Sequence, residues 1–308
     1  MDFNKILKGR ELSPHTIRNY ESNITRLYKI LFSSKNKPDN LDWLLWIPTE
    51  TIINEINNNV KSNTSKNVIF NSIVVMLQEL GHKDLAKPYS LERDKLNTLY
   101  QDKVKSNQLS KTQAQNWINK DEIRAVLKKY KKEVDFIYTK EIDDISRVDK
   151  TKLRNYIILY LYYHYPLRND LYEINIIGED DIIYNDKNYL LIDKNMTIIL
   201  NKYKTSKTYG QIKIKVNTPI KKEIERFLTI NETGYLIPNG QYNDHTTSEG
   251  IYYVLRNIFL KEYGKSIGSS MMRHIYLTHK YKDKYIESKK DSKIMGHSLD
   301  QQKNYILF

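Results

Sequence analysis

The stretch that begins L-R-N-Y-I-I-L-Y-L-Y-Y-H-Y-P at residues 153–166 and ends Q-I-K-I-K-V at residues 211–216 combines two types of secondary structure. Its first part predicts a long, mostly buried helix over residues 149–165, which must end before Pro166 because proline interrupts a helix. Short β-rich runs follow, separated by Asn- and Asp-containing turn signals. The last run alternates I-K-I-K-V, so that one face is predicted to be buried and the other basic. The runs cover residues 181–184, 189–193, 197–204 and 211–216.

Helical patterns return after these runs. They cover residues 220–228, 248–263 and 270–281 and the C-terminal segment. A few short strands within a chain of many helices are typical of an α+β fold. The sequence therefore predicts a mainly α protein with a small antiparallel β-sheet.

The N-terminal part of the chain carries only helical patterns. Ser13 and Pro14 form a helix start, since serine caps the first amides and proline is tolerated at the first helical position. A second stripe of apolar residues, over residues 69–80, ends at Gly81. We therefore expect residues 1–86 to form a helical domain. The first stripe has apolar residues every three or four positions, at Ile17, Tyr20, Ile24, Leu27 and Leu31.

Residues 87–115 are polar and rich in lysine, and their apolar stripe fades. We interpret them as a linker with some helix. A new helix is predicted to begin at residues 119–122, N-K-D-E, because acidic residues are favoured near a helix N-terminus. The chain of 308 residues is thus divided into a helical domain, a linker and a second domain over residues 116–308.

The chain is strongly basic: 50 Lys and Arg residues exceed 37 Asp and Glu residues, which gives a net charge of +13 at pH 7. The abundance of Asn, Ile, Lys and Tyr is typical of an AT-rich genome. That bias accounts for many lysines but leaves their excess over acidic residues unexplained. The charge therefore indicates an anionic partner, and the phosphate backbone of nucleic acid is the commonest one.

Several classes of protein are disfavoured. No apolar run approaches the roughly 18 residues that a membrane span needs, and the start M-D-F-N-K-I-L-K-G-R lacks the apolar core of a secretory signal. Cysteine is absent, which excludes disulfides, thiolate metal sites and a cysteine nucleophile. No nucleotide-binding glycine loop and no metal-ligand cluster is visible. We therefore expect a soluble intracellular protein of cytoplasm or nucleus, with no cofactor, no metal ion and no membrane partner.

Four residues of the second domain have the chemistry needed to cut a phosphodiester without a metal ion. They are Arg168, Arg273, His297 and Tyr305. A guanidinium group binds a phosphate bidentately, an imidazole donates to it or accepts a proton, and a phenol attacks it. Arginine is much rarer than lysine in this chain, so that two arginines at these places are a stronger signal than the tyrosine.

The order and context of these residues resemble the tyrosine recombinases, the phage-integrase-like family of DNA strand-exchange enzymes. The resemblance covers nearly the whole chain, because S-P-H-T-I-R-N-Y-E-S-N-I-T-R-L at residues 13–27 resembles the first helix of the family's DNA-gripping N-terminal domain. The matching segments of the second domain are P-L-R at 166–168, N-K-Y-K-T-S-K-T-Y-G at 201–210, M-M-R-H at 271–274 and M-G-H-S at 295–298.

The resemblance implies a site-specific DNA recombinase that works as a homotetramer on two sites in double-stranded DNA. It implies that Arg168, Arg273 and His297 bind the scissile phosphate. Tyr305 would attack the phosphorus and form a 3'-phosphotyrosyl bond, and another strand's hydroxyl would reverse the step. Since the bond to the protein conserves the energy of the phosphodiester, neither ATP nor a metal ion is required.

In that family a lysine of a β-hairpin protonates the departing 5'-hydroxyl, and two residues here fit it. Lys204 is favoured because it begins the K-x-x-K turn, whereas Lys207 lies deeper in the turn. Ser270 stands where the first histidine of the family's His-x-x-Arg motif lies. Its hydroxyl can donate to a phosphate oxygen, or Ser269 or Ser270 caps the helix that carries Arg273.

Two spacings differ from the family pattern. The acid that usually follows the first arginine by three residues is here Asp170, at two, or Glu173, at five, and Tyr305 follows His297 by eight residues, one fewer than usual. Two other functions use a similar set of residues or the same fold. One is a type IB topoisomerase that relaxes DNA, and the other is a DNA-binding protein that has lost catalysis. The target sequence depends on which side chains face the groove, and these residues do not determine it.

Overall fold

The computed structural model describes residues 2–302. Tyr305 therefore lies outside the described residues. The chain divides into two compact units, Met1–Gln108 and Leu109–Phe308. The division falls within residues 87–115, the segment expected to be a linker.

The first unit is built from helices. They are α1 (Phe3–Ile6), α2 (Pro14–Phe32), α3 (Trp43–Trp46), α4 (Thr49–Asn59), α5 (Asn63–Glu79) and α6 (Lys83–Lys105).

Helix α2 begins where the sequence predicts. The Ser13 hydroxyl accepts a hydrogen bond from the backbone N–H of Thr16 at 3.2 Å, and Pro14 occupies the first helical position. Ile24 and Leu27 are fully buried against the helices of the unit's core. The apolar stripe of α2 therefore faces the core, and its opposite face is left to charged residues.

Most of the segment expected to be a linker belongs to α6. Ala86 and Tyr89, near its start, are buried in the core of the first unit. Leu99 and Tyr100, in its second half, are 58% and 57% exposed. The apolar pattern fades along the sequence because only the first half of α6 is packed on the core.

The second unit combines helices with a sheet. Its helices are α7 (Lys111–Gln115), α8 (Lys120–Ile137), α9 (Arg147–His164), α10 (Ser206–Tyr209), α11 (Thr218–Leu228), α12 (Ser248–Tyr263), α13 (Ser269–Ile294) and α14 (Leu299–Gln302). Its strands are β1 (Ile174–Ile177), β2 (Asn188–Leu191), β3 (Thr197–Leu200) and β4 (Ile212–Lys215).

The sheet is mixed, which corrects the expectation of an antiparallel sheet. Its strand order is β1-β2-β3-β4, and only β2–β3 and β3–β4 pair antiparallel. Strand β1 pairs with β2 parallel, with Ile174 opposite Asn188. Residues 178–187 therefore return the chain to the level at which β1 began. The architecture is α+β, as predicted.

One strand prediction was wrong, and one strand was not predicted. Residues 181–184 form no strand, and Ile182 is 71% exposed, because this segment is the return connection rather than part of the sheet. The strand β1 was missed. Its sequence I-N-I-I is a short run without alternation, and such a run cannot be distinguished from a helix segment by periodicity.

Helix α9 lies at the centre of the second unit. Leu153, Ile158 and Leu161 are fully buried, and α9 contacts α8, α11, α12 and α13. Tyr162 and Tyr163, near the end of α9, line a small cavity together with Met272 and Ile275 of α13. Within residues 2–302, no helix combines the length and the apolar character that crossing a membrane requires.

Candidate active site

Arg168 follows the C-terminal end of α9 after a short extended segment. Its backbone carbonyl accepts a hydrogen bond from the Tyr162 hydroxyl at 2.8 Å, and Tyr162 is fully buried within α9. The next residue, Asn169, donates from its side-chain amide to the carbonyl of Ser248 at 3.0 Å, at the beginning of α12. Arg168 is therefore held on both sides by the core of the unit.

The hairpin loop between β3 and β4 reaches the Arg168 side chain. A terminal nitrogen of the Arg168 guanidinium donates to the Thr205 hydroxyl at 3.4 Å. Lys204 is the neighbour of Thr205 and is exposed, whereas Lys207 is exposed within α10. The contact places Thr205, the residue that follows Lys204, beside the Arg168 side chain. Lys204 forms no ion pair within residues 2–302.

Arg273 lies in the second turn of α13. The N-cap of this helix is Gly268, and no side chain caps it. The interpretation of Ser269 or Ser270 as a helix cap was therefore wrong: Ser269 is the first helical residue and is buried. Ser270 is exposed, and its hydroxyl accepts a hydrogen bond from the Arg273 guanidinium at 3.5 Å.

Arg168 and Arg273 lie close enough for their charges to interact. Burial lowers the pKa of Arg273, and the charge of Arg168 lowers it further. Neither guanidinium forms an ion pair with a carboxylate in the described part of the chain, and Nε of Arg273 is buried without a hydrogen-bond partner there. Two half-buried cations close together repel each other, and a bound anion would relieve that repulsion.

Asp170 is a carboxyl group that interacts electrostatically with both arginines. Burial raises the pKa of Asp170, and the charges of Arg168 and Arg273 oppose that rise without cancelling it. The carboxyl group is thus poorly stabilised as an anion. It cannot neutralise two guanidinium groups.

His297 lies in the turn that follows α13. Gly296 has a left-handed backbone, with φ of +71°, which ends the helix and redirects the chain. Nδ1 of His297 lies 3.2 Å from the carbonyl oxygen of Ser298, and the ring is half-buried. Tyr305 is not among the described residues, so that its place relative to the arginines is a prediction from the sequence.

A second basic surface lies on α2 in the first unit. Lys37 is paired with Glu21 at 2.8 Å, whereas Arg18, Arg26 and Lys29 have no ion pair within residues 2–302. The three unpaired cations are exposed on the face of α2 opposite its apolar stripe. They line a groove with Ser22, Thr25 and Ile30. No group of three or more His, Asp or Glu side chains that could hold a metal ion occurs in the described chain.

The chain matches no model of a known protein family and no curated protein. What the site can do is therefore inferred from its own geometry. Thr205, Asn169 and Tyr162 support the site and were missed by sequence reasoning. Only Thr205 had a usable signal, since it adjoins Lys204.

Proposed function

We propose that this protein is a site-specific tyrosine recombinase, which cleaves and rejoins DNA strands through a 3'-phosphotyrosyl intermediate. The observation that carries the proposal is the closeness of Arg168 and Arg273, neither of which forms an ion pair within residues 2–302. Guanidinium groups bind the non-bridging oxygens of a phosphodiester bidentately, and they stabilise the charge that develops when a nucleophile attacks. Nε of Arg273 is buried and has no hydrogen-bond partner within residues 2–302, so the hydrogen bonds of this guanidinium are not all satisfied there.

The proposed reaction begins with attack of the Tyr305 oxygen on the scissile phosphorus. A tyrosine hydroxyl has a pKa near 10, so its anion is rare at neutral pH unless cations stabilise it. The arginine pair supplies that stabilisation. As the new phosphorus–oxygen bond forms, the bond to the 5'-oxygen breaks, and Lys204 gives that oxygen a proton. His297 is proposed to donate to the phosphate or to accept the phenolic proton.

Double-stranded DNA is the proposed substrate and partner. The net charge of +13 and the unpaired cations of α2 support it, because phosphate contacts supply most of the affinity of proteins for DNA. The first unit is proposed to be a DNA-binding domain and the second unit the catalytic domain. Exchange of strands between two sites requires four cuts, so a homotetramer on two duplexes is the proposed assembly.

The proposal is tested by trapping the covalent intermediate. Nicked duplexes are prepared from a library of the source genome, so that the short strand diffuses away after cleavage and the adduct cannot be resealed. We expect a protein–DNA adduct on denaturing gels with the full chain and none with Tyr305→Phe. Tyr281→Phe is the matched control, since Tyr281 is an exposed tyrosine of α13.

Measurements of DNA binding and of plasmid relaxation, made beside this assay, separate the proposed function from its alternatives. Tight, salt-sensitive DNA binding without an adduct would contradict the recombinase and indicate a non-catalytic DNA-binding protein. Relaxation of supercoiled plasmid by a monomer, with no need for paired sites, would indicate a topoisomerase instead.

A further inference from the structure

Two neighbouring tyrosines of α12 are exposed beside the first turn of α13. Tyr252 is 39% exposed and Tyr253 is 55% exposed, and their ring centroids lie 5.4 Å apart. Ile251 and Leu255 of the same helix are fully buried in the core. Neither hydroxyl group takes part in a hydrogen bond within residues 2–302. Hydrogen bonds of these hydroxyl groups are therefore not what holds this part of α12 in place.

The Tyr252 ring is seated on the backbone of Gly268. A Cβ atom at position 268 would lie 2.7 Å and 2.9 Å from two carbons of that ring, closer than atoms can approach. Gly268 has φ of −107°, a conformation open to any residue. The lack of a side chain at Gly268 is thus required by the ring and not by the backbone, and the contact fixes where the ring lies.

This position is close to the proposed phosphate site. Asn169, the neighbour of Arg168, donates hydrogen bonds to the carbonyl and the hydroxyl of Ser248. Ser248 precedes Tyr252 by four residues in α12, and residues with that spacing share one face of a helix. Tyr252 therefore lies about one helical turn from the residue that anchors the Arg168 segment.

We propose that Tyr252 is a stacking platform for a nucleobase that has left its base pair next to the cut. The proposal rests on the function proposed above. Strand exchange requires the bases beside the cleaved phosphate to separate from their old partners before they pair with new ones. An aromatic ring stacks on any base, so such a platform does not depend on sequence.

The test uses the full chain with Tyr305→Phe, so that no covalent capture contributes. Its probes are a duplex with a gap of three unpaired thymines and a fully paired duplex of the same length, compared by fluorescence anisotropy at fixed salt. We expect a preference for the gapped duplex of about 5- to 100-fold, which is the range for one stacked base. A second gapped probe carries 2-aminopurine among the unpaired bases, and its fluorescence should fall when it binds.

Three further variants are made on this background. Tyr252→Phe keeps the ring and should keep the preference, whereas Tyr252→Leu keeps bulk over Gly268 and should lose it. Tyr281→Leu is the matched control and should behave as the parent, because Tyr281 lies about 20 Å farther along α13.

Three results would overturn the platform. They are a parent protein that binds without changing the 2-aminopurine fluorescence, a preference that survives Tyr252→Leu, and a preference lost in Tyr252→Phe, which would assign the effect to the hydroxyl. The first needs no substitution at Tyr252, so it holds even if Tyr252→Leu does not fold. An adduct with no gap preference would remove the platform alone, and a gap preference without an adduct would remove the recombinase alone.

Discussion

Two arginine sites of the second unit differ in how their charges are balanced. Arg226 pairs with Asp135, and its guanidinium carbon lies 3.9 Å from the centre of the Tyr138 ring. Lys131 bonds both Asp135 and Glu223 at 3.0 Å. Each of these cations has an anion, so the cluster needs no ligand.

Neither Arg168 nor Arg273 forms an ion pair within residues 2–302, although the charge of Asp170 acts on both. The second unit thus holds one basic cluster whose charges are paired and a second cluster that we propose to bind the DNA phosphate. The two clusters share a unit and a residue type, so substitutions in one are controls for the other.

The largest effect is expected for Arg273→Ala. Loss of one preorganised donor to the developing charge should lower the rate of DNA cleavage about 10²- to 10³-fold. Arg273→Lys should rescue little of it, because an ammonium group cannot bind two oxygens in the same fork. Adduct formation over time measures the rate. The free energy of unfolding should not fall, since the substitution removes a charge that Arg168 repels.

For Arg226→Ala the expected pattern is the reverse. The free energy of unfolding should fall by about 1–2 kcal/mol, because a charged hydrogen bond and a cation–π contact are lost. Urea denaturation measures it. The cleavage rate of the folded fraction should stay within about twofold of the parent. A large loss of rate in this variant would contradict the separation of the two clusters.

A smaller effect concerns the salt dependence of DNA binding. A residue that contacts one phosphate contributes about 0.9 to the slope of log affinity against log salt. We expect Arg168→Ala to reduce the slope by about that amount and Arg226→Ala to leave it unchanged. Anisotropy titrations between about 50 and 200 mM salt measure the slopes of both variants. Equal slopes in the two variants would show that Arg168 does not contact DNA.

The smallest effect is expected in the pH dependence of stability. Burial would raise the pKa of Asp135, but hydrogen bonds from Arg226 and Lys131 outweigh it and lower the pKa. Its contribution to stability is therefore present above the unfolded pKa, about 3.9, and is lost as the pH falls through the folded pKa.

Asp170 should behave in the opposite sense. Its pKa is raised by burial, so its ionisation costs stability as the pH rises from about 3.9 through the folded pKa. Relative to the parent, Asp170→Asn should gain stability with rising pH and Asp135→Asn should lose it. Urea denaturation between about pH 3 and 7 measures both. Slopes of the same sign would contradict the contrast.

The parts of the fold that could be predicted are those marked by local sequence signals, such as the residues that begin a helix. Ser13 and Pro14 placed the start of α2, and Asn119 with Glu122 form the capping box at the start of α8. Long-range pairing could not be predicted in this way. The parallel register of Ile174 with Asn188 depends on the route of the return connection, which no residue of β1 specifies.

The same limit applies to the candidate site. Arg168 and Arg273 were chosen for their chemistry and order, but their mutual proximity arises from the packing of α9 against α13. The Tyr252 ring of α12 also packs on the backbone of Gly268, the N-cap of α13, so this contact joins two separate helices. No periodicity or motif predicts such a contact, because it is created by tertiary packing.

The proposed reaction is tested most closely by identifying the residue that becomes bonded to DNA. Adduct from the suicide duplex is digested with nuclease and trypsin, and the peptides are analysed by mass spectrometry. Cleavage after Lys303 should release residues 304–308, N-Y-I-L-F, with a 3'-phosphonucleotide on Tyr305. A nucleotide on any other tyrosine, or no modified peptide from protein that binds the DNA tightly, would contradict the account.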